Sequence, residues 1–145
     1  MEAKAIHIAN EKETEELGER IGRDADAGTV IALIGDLGTG KTTLTKSIAR
    51  GLGVTETVTS PTFNIIREYR SGRLPLYHFD VYRIADPDEM YELGYEEYFY
   101  GDGICVVEWA DIIEELIPED AVTIHIDRGA SEEERIYRIE GTCTF

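Results

Sequence analysis

The chain has 145 residues, 42% of them hydrophobic and 30% charged, which is the composition of a soluble globular protein with a real core. Thirty acidic residues against fourteen basic ones give a formal net charge of −16, a balance that disfavours direct binding to a nucleic-acid backbone. The apolar runs are far too short for a membrane span, and the start MEAKAIHIANE lacks the pattern of a secretory signal, so a single cytoplasmic domain over residues 1–145 is expected.

The predicted elements alternate. A strand over residues 4–9 leads to Asn10, which reads as a helix N-cap with Glu13 three positions on, opening a helix to about residue 23. Residues 29–34 form an apolar, buried strand. A helix follows over 42–52, with Leu44, Ile48 and Leu52 on one stripe and glycines at its end. Residues 63–70 and 73–83 read as a hairpin around Ser71-Gly72, weakened by Pro75. Asp86-Pro87-Asp88-Glu89 signals a helix start. Residues 104–107 are a second buried strand, 110–116 a short helix, and 121–126 and 135–140 two closing strands. This order predicts an α/β three-layer sandwich with a mostly parallel sheet and an antiparallel hairpin.

Two cysteines, Cys105 and Cys143, lie far apart without metal-ligand spacing, and Cys105 reads as a reduced core residue. His7 and His125 each alternate with isoleucine and read as outward-facing strand residues.

The stretch GDLGTGKTT, residues 35–43, fits G-x-x-x-x-G-K-[ST] between a buried strand and a helix. Such a loop turns its backbone amides into one concavity, where they and the helix N-terminus hold a polyphosphate. The nucleotide-binding set is therefore Gly35, Asp36, Leu37, Gly38, Thr39, Gly40, Lys41, Thr42 and Thr43. Lys41 would reach the β- and γ-phosphates, Thr42 would ligate Mg²⁺, and Thr43 would meet an inner phosphate.

A site for Mg²⁺ and a nucleotide needs a carboxylate beyond the loop. Glu108 follows Ile-Cys-Val-Val at the carboxyl end of a buried strand, where ligand sites of α/β sheets gather. In His78-Phe79-Asp80-Val81-Tyr82-Arg83, alternation puts Asp80 on one face between two apolar neighbours, a costly place for an unpaired acid. An ion pair of Asp80 with Arg83 or Arg67 is the competing explanation. Thr59-Ser60-Pro61-Thr62-Phe63 stands where nucleotide-sensing loops occur, so Thr62 either meets the metal or γ-phosphate or simply bonds its own backbone.

GDLGTGKTT, SPTF, HFDVYR and VEW, in that order and at these intervals, resemble the TsaE (YjeE) family of small bacterial P-loop ATPases over residues 10 to 111. The resemblance implies slow hydrolysis of ATP with Mg²⁺, in support of N6-threonylcarbamoyladenosine (t6A) synthesis at tRNA position 37 with TsaB and TsaD proteins. It links Thr42 and Glu108 to the metal, Asp80 to activity and Trp109 to the nucleotide site. Lys41, Asp80 and Glu108 are the expected catalytic residues. Asp80 would orient or deprotonate the attacking water, or hold water on the metal. With so acidic a chain, tRNA is expected to be met only through the partners. No arginine finger is evident, Arg83 being the nearest candidate, so slow turnover is expected. Two rivals share the loop: a small nucleoside or metabolite kinase, and a nucleotide-gated binding module without hydrolysis. Residues after 118 carry no motif.

Overall fold

The structure, a computed structural model, describes residues 4–36, 38–61 and 65–141. Among these residues seven strands form one sheet: β1 (Lys4–Ile8), β2 (Val30–Gly35), β3 (Ile66–Tyr69), β4 (Leu76–Asp80), β5 (Ile104–Glu108), β6 (Val122–Arg128) and β7 (Arg135–Glu140). Their order across the sheet is β1-β7-β6-β2-β5-β4-β3. The four central strands, β6, β2, β5 and β4, run parallel, and antiparallel pairs close both edges. Parallel order thus holds through the centre, and the C-terminal strands add an antiparallel edge opposite the hairpin.

The central strands are apolar at nearly every position because helices cover both faces of the sheet. Alternation divides each strand between two cores. Ile31 and Leu33 of β2 and Ile104 and Val106 of β5 face helices α1 (Glu11–Asp24) and α2 (Lys41–Leu52). Val30, Ala32, Cys105 and Val107 face the other way, onto α3 (Asp88–Glu92), α4 (Tyr95–Phe99) and a 3-10 helix, Ala110–Leu116.

Helix α1 begins as its sequence requires. The Asn10 side chain accepts from the Glu13 amide at 3.1 Å, and the Glu13 carboxylate accepts from the Ala9 amide at 2.8 Å. Helices α1 and α2 touch at glycine. A Cβ on Gly22 would lie 2.1 Å from the Ile48 carbonyl oxygen, and one on Gly51 would lie 2.2 Å from that of Glu19. Any side chain there forces the helices apart.

Several elements are shorter or differently built than expected. Strand β4 starts only at Leu76, because Pro75 has no amide to donate and instead accepts from the Ile104 amide at 2.8 Å. It ends at Asp80, where the Val81 amide turns to the Glu108 carbonyl. Of the first hairpin strand, Phe63 and Asn64 lie outside the described residues. The helix signalled at Asp86 is two short helices parted by Gly94 (φ +72°); the first is capped at Pro87 without a side-chain bond rather than at Asp86, while Glu89 accepts from the amides of Ala85 and Asp86. The segment after Trp109 is 3-10 rather than α-helical and kinks at Ile113. Cys105 is buried and its thiol is free, while Cys143 lies outside the described residues. His7 is exposed and bonds Glu134 at 2.8 Å; His125 is half-buried rather than fully outward.

Candidate nucleotide site

The glycine loop joins the central strand β2 to α2, at the carboxyl end of the parallel strands. Its glycines have identifiable tasks. Gly40 caps α2 at φ +101°, a left-handed conformation that L side chains rarely adopt. At Gly35 a Cβ would lie 2.8 Å from the Ile126 carbonyl oxygen and 2.9 Å from Thr39 Oγ1, so only hydrogen fits. Thr39 is buried and holds the turn, donating its hydroxyl to the Asp36 carbonyl at 2.8 Å. Leu37 lies outside the described residues.

Lys41 is 5% exposed, and so buried an ammonium needs acceptors. It donates to the carbonyls of Gly35 at 2.6 Å and Asp36 at 2.9 Å. It also lies 4.0 Å from the centre of the Trp109 ring, within cation–π range. Burial lowers its pKa, and the negative charge of Glu108 is the largest influence in the opposite direction. Trp109 holds its ring there from a left-handed backbone (φ +63°), costly for a residue with a Cβ, and packs against Tyr82 with ring centres 4.7 Å apart.

The first hydroxyl of α2 meets the end of β5. Thr42 Oγ1 donates to Glu108 Oε1 at 3.2 Å. Its only hydrogen is thereby used, so the Ser60 hydroxyl, 3.0 Å away, donates to Thr42 in turn. Glu108, 2% exposed, binds His78 Nε2 through its other oxygen. A carboxylate only accepts, so Nε2 carries the hydrogen. The result is a chain, Ser60 to Thr42 to Glu108 and His78 to Glu108, that ties four segments together.

Asp80 ends β4 directly beside Glu108 in the parallel register. It is half-buried and accepts from the Tyr82 amide at 3.1 Å. Burial raises its carboxyl pKa above the ordinary value; the Tyr82 amide works against this, and Glu108 adds to it. The contact that Asp80 makes in the structure is with the Tyr82 amide.

Gly38, Gly40, Lys41, Thr42, Thr43, Ser60, Asp80, Glu108 and Trp109 line one cleft of about 420 Å³. Gly35 and Asp36 open instead onto a neighbouring groove with His125 and Asp111. Thr62 lies outside the described residues. Two contributors escaped the sequence reading. His78 looked like one more member of an alternating strand. Arg135 belongs to the motif-free tail, yet it reaches back to the loop and donates to the Thr39 carbonyl at 3.0 Å. No sequence spacing signals that contact, since 96 positions separate the residues.

A glycine loop between the central parallel strand and a helix, faced by acids from two neighbouring strand ends, defines an α/β protein with a candidate ligand cleft at the carboxyl ends of its parallel strands. The chain belongs to the TsaE family. The family profile described as threonylcarbamoyl adenosine biosynthesis protein TsaE matches residues 8–137. The chain is 50% identical over 127 residues to the tRNA threonylcarbamoyladenosine biosynthesis protein TsaE of Bacillus subtilis, covering 88% of this chain and 79% of that one. Against the protein of the same name from Treponema pallidum it is 43% identical over 115 residues, covering 79% and 84%. The crystal structure of Bacillus subtilis YdiB superposes with a TM-score of 0.83 at 43% identity, covering 95% of this chain and 84% of that one.

Proposed function

We propose that this protein is a single-domain cytoplasmic ATPase that binds ATP with Mg²⁺, hydrolyses it slowly, and supports t6A formation on tRNA with TsaB and TsaD partners. The observation that carries the reading is the meeting of Thr42 Oγ1 and Glu108 Oε1 at 3.2 Å in the cleft that Lys41 also lines. The relatives named above are t6A biosynthesis proteins, which gives the reaction its biological context.

The donor set suits magnesium. Among the described residues there is no cluster of three or more His, Cys, Asp or Glu that could hold a metal by itself. Mg²⁺ characteristically takes one or two protein oxygens and completes its shell with water and phosphate oxygens. Thr42 and Glu108 would hold it, and it would supply charge neutralisation at the β- and γ-phosphates.

The remaining work falls to the chain's own groups. Lys41 exchanges the two loop carbonyls for phosphate oxygens and stabilises the charge spread over the transferring group. Asp80 orients the attacking water and accepts its proton, a task suited to a carboxyl whose pKa is raised. Ser60 donates to the lone-pair side of Thr42, the side a cation would also use. Filling the site therefore competes with the Ser60 contact, and the 59–61 segment becomes a reporter of occupancy to partners. With a charge of −16, contact with tRNA runs through the partners.

The test is multiple-turnover t6A formation with TsaB and TsaD proteins, with and without this chain and ATP. Stimulation that needs both is expected. Equal modification without the chain removes the function. The isolated protein should release phosphate more slowly than about 1 s⁻¹, because no arginine is among the described residues that line the cleft.

A further inference from the structure

His78 is fully buried in β4, yet only half of its imidazole is used. Nε2 binds Glu108, while Nδ1 is buried without a hydrogen-bond partner among the described residues. A buried polar atom without a partner keeps the cost of its lost hydration. Packing alone does not ask for it: Leu76, two positions earlier on the same face, is fully buried in the core beneath α1 and α2. A leucine at position 78 would avoid the penalty. The one thing the histidine does that an apolar residue cannot is grip Glu108.

That grip has a geometric consequence. A carboxylate held at one oxygen only can swing its other oxygen. In Glu108, Oε2 is held from beneath by His78, which leaves Oε1 directed at Thr42. We propose that His78 is a positioning residue: by holding Glu108 Oε2 it fixes Oε1 toward Thr42 and so sets the affinity for the divalent cation that accompanies the nucleotide. This rests on the reading of the cleft as a site for Mg²⁺ and ATP. Partners that orient ligating side chains typically contribute about 10- to 100-fold in metal affinity.

The test uses the full chain and measures ATP binding by calorimetry, once with excess Mg²⁺ and once with EDTA. The ratio of the two dissociation constants reports the metal contribution without any turnover. In His78→Gln the amide nitrogen falls near the position of Nε2 and can still donate to Glu108. In His78→Asn the amide falls near Nδ1 and cannot reach. His78→Leu keeps the volume and loses the donor. The expected result is a ratio about 10-fold smaller in the Leu and Asn variants, a ratio close to wild type in the Gln variant, and similar ATP affinity in EDTA for all. Thermal melts check that each variant folds, and if the Leu variant does not, the Gln–Asn comparison decides. A wild-type ratio in the Asn or Leu variant overturns the proposal, as does a Gln variant that falls with them. Failure of the wild-type protein itself to bind ATP more tightly with Mg²⁺ overturns the underlying reading, a result distinct from these.

Discussion

Asp80 and Glu108 are register partners at the ends of β4 and β5, so two acids separated by 28 positions in sequence stand side by side at the mouth of the glycine loop. Parallel pairing brings both strand ends to the same edge, and equal register puts both side chains on the same face of the sheet. Burial raises the free energy of ionised Asp80, the neighbouring Glu108 adds to it, and the Tyr82 amide works against both.

Asp80→Asn should therefore trade activity for stability. Burial, and after it Glu108, raises the Asp80 pKa in the folded state, so its ionisation destabilises the fold at neutral pH. Asparagine keeps the oxygen that accepts from the Tyr82 amide and removes the charge. The variant should melt higher than wild type at pH 7. The gain should shrink as pH falls through the raised pKa, where wild-type Asp80 takes up a proton. Phosphate release should drop by about 10²-fold or more. Melting curves across pH, set beside phosphate assays, check both parts, and an equal or lower melting temperature at pH 7 would contradict the electrostatic account.

Trp109 is the chain's single tryptophan, and its ring lies 4.0 Å from Lys41 Nζ. If Lys41 leaves the loop carbonyls for phosphate, the charge over the indole moves. Adding ATP with Mg²⁺ should change the intrinsic fluorescence saturably, and Lys41→Ala should abolish the change. A titration with no fluorescence response would place Lys41 elsewhere in the bound state.

Arg135→Ala should weaken nucleotide binding from outside the cleft. Its guanidinium joins the Thr39 carbonyl to those of Glu132 and Glu134, pinning the loop to the start of β7. Losing a charged donor to a part-buried segment costs about 1.5 kcal/mol, so ATP affinity should fall by about 10-fold. Hydrogen exchange at residues 38–40 should quicken in the variant. Arg135→Lys should restore little, because one ammonium does not span the carbonyls as the planar fork does.

Gly22→Ala should destabilise the fold sharply while leaving the loop chemistry intact. The new methyl would sit 2.1 Å from the Ile48 carbonyl oxygen, so α1 and α2 must separate. Overpacking of this kind costs about 1–3 kcal/mol, and a backbone obstacle puts the change at the upper end. A denaturant midpoint equal to wild type would show that the helices do not meet this closely.

Much of the framework was legible because its signals are local. The glycine loop lies within nine consecutive residues, and its turn between strand and helix follows from backbone freedom. The Asn10 cap and the buried runs of β2 and β5 are likewise written in short windows. The boundaries of β4 shifted because its first and last residues answer to β5 rather than to their own alternation. The 3-10 segment after Trp109 starts from a left-handed residue that places an indole over Lys41, a demand invisible in the helical pattern.

By itself the sequence determined that a glycine-rich turn would join a buried strand to a helix and that strands would alternate with helices, since both depend on neighbours in the chain. Tertiary structure alone decided that Asp80 stands beside Glu108, that His78 spends one nitrogen on that carboxylate and leaves the other without a partner among the described residues, and that Arg135 returns from β7 to hold the loop. These are contacts between strands whose order across a sheet is set by the burial of two faces at once, a condition that no local stretch of sequence contains.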